Sequence, residues 1–67
     1  MNVKQIEDVK KNLPGKVIDG FRHIVKFRRE TKDYLWFDFN DLDDGYENLS
    51  LGFPKDYDYN EIIRSCG

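Results

Sequence analysis

Three stretches of the chain alternate apolar and polar residues with a period of two. Phe21, Val25 and Phe27 alternate with Arg22, Lys26 and Arg28. Leu35, Phe37 and Phe39 alternate with Tyr34, Trp36 and Asp38, and Leu49, Leu51 and Phe53 with Ser50 and Gly52. Period two sends each set to opposite faces of a strand, and aromatic and β-branched side chains suit a half-buried pleated surface. Three strands are therefore expected between Gly20 and Phe53. Glu30-Thr31-Lys32-Asp33 is short and polar, so the first two strands should form an antiparallel hairpin. The second connection, Asn40 to Asn48, is longer and carries the turn dipeptide Asp44-Gly45. On this phasing His23 falls on the apolar face between Phe21 and Val25, and Ile24 falls among the charged residues.

Outside the strands the period changes. Val3, Ile6, Val9 and Leu13 are spaced for one face of a helix of about three turns. Asn2 is its expected cap, Gln5 sits where a capping-box partner belongs, Glu7 and Lys11 form an i,i+4 pair, and Pro14-Gly15 ends it. Lys16 to Asp19 is expected as a connector, with strand as the alternative there, and Gly20 is a bulge candidate. Pro54 stops the third strand. Asp58 is the expected cap of a short C-terminal helix, with Glu61 three residues on, an apolar stripe at Tyr59, Ile62, Ile63 and Cys66, and Gly67 ending it. The predicted fold is α+β: a three-stranded antiparallel meander in the order α-β-β-β-α, with both helices covering one face. Phe37 is expected at the sheet centre. Residues 1–67 form a single small domain.

Charge changes this picture. The net charge of −2 over 67 residues says little. However, residues 1–33 hold nine Lys/Arg against five Asp/Glu, and residues 34–67 hold two against eight. Either the folded domain carries two oppositely charged surfaces or its halves neutralise each other. A single cysteine, Cys66, excludes an internal disulfide and points to the cytoplasm. The N-terminal residues carry charge throughout, unlike a signal peptide, and no apolar run approaches the ~20 residues that cross a membrane.

The acidic connector Asp38–Glu47 invites a calcium reading, because a hard cation takes oxygen ligands at alternate positions before a glycine. With Gly45 as the sixth position, Leu42 becomes the third and Leu51 the twelfth, where ligands are required. The spacing therefore excludes a calcium loop, and no metal or cofactor is expected. Asp41, Asp43, Asp44 and Glu47 remain as a concentrated negative patch around Tyr46. Tyrosine among acids offers rigid contact area with a polar tip, a composition suited to protein interfaces. Asp56, Tyr57 and Asp58 repeat it. A solvated turn is the competing structural reading.

A second surface is basic. Arg22, Lys26 and Arg28, extended by Arg29 and Lys32, share a predicted face with Tyr34 and Trp36. Cations between aromatics are how single strands of nucleic acid are held, with phosphates on the cations and bases stacked on the rings. The competing reading is that Arg and Lys stems cover the aromatics. His23 reads as a hydrogen-bonded core residue rather than a ligand or base, and a nucleophilic pairing of Cys66 with His23 would need the two within hydrogen-bond reach.

In size, in its acidic C-terminal half and in its lack of catalytic signatures, the chain resembles small inhibitor proteins of phages and mobile elements, some of which place carboxylates in the nucleic-acid groove of a host protein. The resemblance is one of composition. The leading expectation is a non-enzymatic protein-binding module that occludes a basic site on a partner protein through Asp41–Glu47, extended by Asp56–Asp58. The alternative is a single-stranded nucleic-acid-binding domain using Arg22, Lys26, Arg28, Tyr34 and Trp36. An exposed sheet edge allows a homodimer as well as a monomer.

Overall fold

The computed structural model describes residues 1–66; the expected role of Gly67 as a helix stop lies outside them. Helix α1 spans Val3–Asn12. Its capping box is formed: the Gln5 N–H donates to Asn2 Oδ1 at 2.8 Å, and the Asn2 N–H donates to Gln5 Oε1 at 3.0 Å. Val9 and Leu13 are buried, whereas Val3, expected on the apolar stripe, is exposed. Glu7 pairs with Lys10 at 3.3 Å rather than with Lys11, and Lys10 also reaches Glu30 at 2.9 Å.

A fourth strand precedes the expected three. β1 is Val17–Ile18, β2 Arg22–Glu30, β3 Tyr34–Asp41 and β4 Leu49–Pro54, antiparallel in spatial order β1-β2-β3-β4. Gly20 is not a bulge. Asp19 and Gly20 both have positive φ (55° and 80°), and the Phe21 N–H donates to the Ile18 carbonyl at 3.2 Å. This is the type I′ turn that joins twisted strands, with Asp-Gly as its usual pair. Helix α2, Tyr59–Ser65, starts at the Asp58 cap, whose carboxylate accepts from the Asn60 N–H at 2.9 Å; its far end is tied to β1 by the Ile18–Cys66 bridge.

The core is one cluster: Val9 and Leu13 at α1, Ile62 from α2, Ile18, Ile24, Leu35, Phe37 and Phe39 from the sheet. Both helices therefore cover the same sheet face. Phe37 is fully buried at its centre, edge-on to Phe27 at 5.4 Å and Phe53 at 5.9 Å. β3 and β4 keep the predicted facing throughout. In β2 the facing is corrected. Ile24, expected outward, is fully buried, and Val25, expected inward, is 43% exposed. The cause is two β-bulges, between Ile24 and Lys26 and between Phe27 and Arg29. Each sets two β2 residues against one of β3, so strict alternation fails twice. His23 pairs with Asn40 and so lies on the outer face, opposite to that expected.

Two polar links hold the helices. Glu30 accepts from Lys55 at 2.7 Å and from Lys10, joining β2 to α1 and to the chain after β4. Those two ammonium groups, Lys55 first, hold its carboxyl down from 4.5 to about 2. The Tyr59 hydroxyl donates to Asp8 Oδ2 at 2.5 Å, fastening α2 to α1. This bond lowers the Asp8 pKa and raises that of Tyr59. Among the described residues no helix is long and apolar enough to cross a membrane.

Candidate functional site

β3 ends at Asp41, and the chain leaves the sheet through residues 42–48. Asp41 Oδ1 accepts the N–H groups of Asp43 (3.0 Å) and Asp44 (3.1 Å), and its own N–H donates to the Tyr46 carbonyl at 2.7 Å. Gly45, at φ 74°, takes the left-handed turn that a β-carbon disfavours. The Leu42 N–H donates to the Phe21 carbonyl at 2.7 Å, and the Asn48 N–H to Asn40 Oδ1 at 3.1 Å, so the loop is anchored at both ends.

The acids divide by role. Asp41 is half-buried and committed to the turn. Asp43, Asp44 and Glu47 are exposed and in no ion pair among the described residues. The same loop exposes two large side chains, Tyr46 at 63% and Leu42 at 57%. The sequence reading passed over Leu42, although an apolar residue within an acidic turn is a visible signal.

The second acidic segment does not join this patch. The Lys55 N–H donates to the Asp33 carbonyl at 2.8 Å, which puts Asp56–Asp58 beside the Tyr34 end of β3. The loop lies at the Asp41 end, roughly 23 Å away at strand rise. Asp58 is committed to the α2 cap, and Tyr57 rests edge-on against Phe53 at 6.0 Å.

The outer sheet face, away from both helices, carries the basic residues. The bulges set Val25 and Lys26 against Asp38, and Arg28 and Arg29 against Trp36. Asp38 is only 6% exposed; it accepts from Arg28 Nε at 2.6 Å and lies 3.9 Å from Lys26 Nζ. Arg22, expected here, is on the other face: its partner Asp41 is two residues from Phe39, which faces the core. It stacks over Phe21 at 5.0 Å and sits 3.7 Å from Asp19. Arg29 takes its place. Trp36 and Tyr34 stack at 5.6 Å with a 30° tilt. Trp36 lies across Gly52, where an added β-carbon would meet its ring at 2.8–3.1 Å. The cation–π contacts fall on Phe27 and Phe21, not on these two rings.

His23 and Cys66 are on opposite sides of the sheet, since Cys66 bridges to Ile18 and packs on the core. Burial pushes the Cys66 thiol up, with Lys16 opposing; a raised thiol is a poorer nucleophile at neutral pH. A groove of about 260 Å³ between the helices, lined by Val9, Leu13, Ile62 and Cys66, has only Asp8, Asn12 and Lys16 as polar lining residues. The chain matches no protein family, no curated protein and no solved structure.

Proposed function

We propose that the protein is a small non-enzymatic binding module that inhibits a partner protein by occluding a basic, nucleic-acid-binding site with the loop Asp41–Glu47. The observation that carries the reading is that three exposed carboxylates in no ion pair among the described residues, Asp43, Asp44 and Glu47, share one anchored loop with the exposed Leu42 and Tyr46. An anchored loop loses little conformational entropy on binding. Tyr46 and Leu42 supply the apolar anchor and the carboxylates a rim that steers a basic partner. The outer face adds no contact to this reading, since Lys26, Arg28 and Arg29 would repel a basic partner and Asp38 offsets only part of that charge. On this reading the protein acts in the cytoplasm, as its single cysteine suggests, and its size and acidic loop fit inhibitors of phage or mobile-element type. Asp56–Asp58 forms no part of the same contact.

The test is affinity capture from nuclease-treated lysate with three baits: the parent, Asp43→Asn/Asp44→Asn/Glu47→Gln, and Arg29→Gln. Asp41 is left intact because its carboxylate builds the turn. A basic protein held by the parent and by Arg29→Gln, but released by the loop variant, is the expected result. Undiminished capture by the loop variant would exclude this function.

A further inference from the structure

The outer sheet face is open, and its chemistry is arranged around one buried acid. Asp38 takes the Nε of Arg28 at 2.6 Å. That bond fixes the guanidinium plane while neither terminal nitrogen has a partner among the described residues, and the Arg28 side chain remains 51% exposed. A planar fork held from behind is the donor geometry that phosphate oxygens accept. Arg29, set beside it by the second bulge, is in no ion pair among the described residues. Across the strand lie Trp36 and Tyr34, with no cation stacked on either ring among the described residues. Gly52 leaves room for the Trp36 ring to lie over the sheet.

We propose that this face binds single-stranded nucleic acid, with bases stacked on Trp36 and Tyr34 and the sugar–phosphate backbone running along β2 over Arg28, Arg29 and Lys26. Charge fixes the polarity. Asp33 and Asp56 line a hollow beside Tyr34 together with Lys55, whose ammonium is taken by Glu30, so phosphates are favoured on the β2 side. A duplex, whose bases are already stacked and paired, cannot use the two rings. The footprint is about two nucleotides and the affinity modest, since the chain as a whole is anionic. The site is separate from the acidic loop and does not rest on its function.

Trp36 is the only tryptophan, so its emission reports the site directly. The probe is a 15-residue oligothymidylate at low salt. Saturable quenching is expected, weakening with salt at a log–log slope near −1.4, for about two phosphates at ~0.7 each. Tyr34→Ala should bind at least about fivefold more weakly, the loss of one stacked base. Arg29→Gln should reduce the slope by about 0.7. Both residues are exposed, so folding is retained and is checked by circular dichroism. The loop variant Asp43→Asn/Asp44→Asn/Glu47→Gln should still bind the oligonucleotide, which keeps this test independent of the loop. Absence of quenching, equal binding of a duplex of the same length, or displacement by polyglutamate as effective as by oligothymidylate would each overturn the proposal.

Discussion

Gly52→Ala probes the outer face most sharply. The new β-carbon would stand 2.8 Å from Trp36 Cζ3, 2.9 Å from Cη2 and 3.1 Å from Cε3. Ordinary carbon–carbon contact lies near 3.5–4.0 Å, so the ring must lift by about 1 Å or swing off the sheet. Overpacking of this kind costs about 1–3 kcal/mol. Alanine at a backbone it can adopt returns about 0.4–1 kcal/mol through the unfolded chain, and φ at Gly52 is not in the left-handed region. The net expectation is a loss of about 1–2 kcal/mol. With a urea m-value of about 1 kcal/mol/M for a small domain, the midpoint should fall by roughly 1–2 M. Trp36 emission should shift to the red as the ring meets more water, and oligothymidylate quenching should weaken in parallel. An unchanged emission maximum with a raised midpoint would mean that the ring does not lie over Gly52, and the stacking platform would go with it.

Two further outcomes test the rest of the fold. Ile24→Ala should destabilise by about 2–5 kcal/mol and Val25→Ala by no more than about 0.5 kcal/mol, read from urea midpoints; the opposite order would restore strict alternation in β2 and remove the first bulge. Glu30 titrates well below its unfolded value, so its contribution is present above about pH 4.5 and is lost as pH falls towards 2; the midpoint gap between the parent and Glu30→Gln should therefore close over that range, and a gap constant from pH 6 to 2 would refute the Lys55–Glu30–Lys10 link.

Much of this architecture is legible in the residues, and the failures have physical causes. β3 and β4 face as their alternation says because no bulge interrupts them. In β2 the warning lay in two doublets, Ile24-Val25 and Arg28-Arg29. Strict alternation would send one arginine of the second pair into the core, and a bulge avoids that by turning both outward. Asp19-Gly20 is as strong a hairpin signal as Asp44-Gly45, but the strand before it has only two residues and shows no period. The exposed loop acids could be read from composition. The different task of Asp41 could not, because an Asx turn depends on where β3 ends.

The asymmetry of charge between the halves is neutralised in part across the fold, at Asp38 and at Glu30–Lys55, and otherwise leaves two surfaces. Among the acids of the described residues 34–66, Asp38 is the one that pairs with cations of the first half; Glu61 pairs with Arg64 beside it. The hairpin explains the separation. Arg29 lies opposite Trp36, and Asp41 is five residues further along β3, roughly 17 Å at strand rise. The Debye length is ~8 Å at 0.15 M salt and ~30 Å at 0.01 M. At physiological ionic strength the loop is therefore largely screened from Arg29, whereas Lys26, opposite Asp38 and about 10 Å along β3 from Asp41, lies near one screening length. At 0.01 M the loop acids sit within one screening length of any phosphate on β2 and repel it. Neutralising Asp43, Asp44 and Glu47 should consequently strengthen oligonucleotide binding more at 0.01 M salt than at 0.15 M. Two surfaces of opposite sign on a chain of 67 residues stay separable because one strand, β3, carries an aromatic platform at its start and an acidic turn at its end.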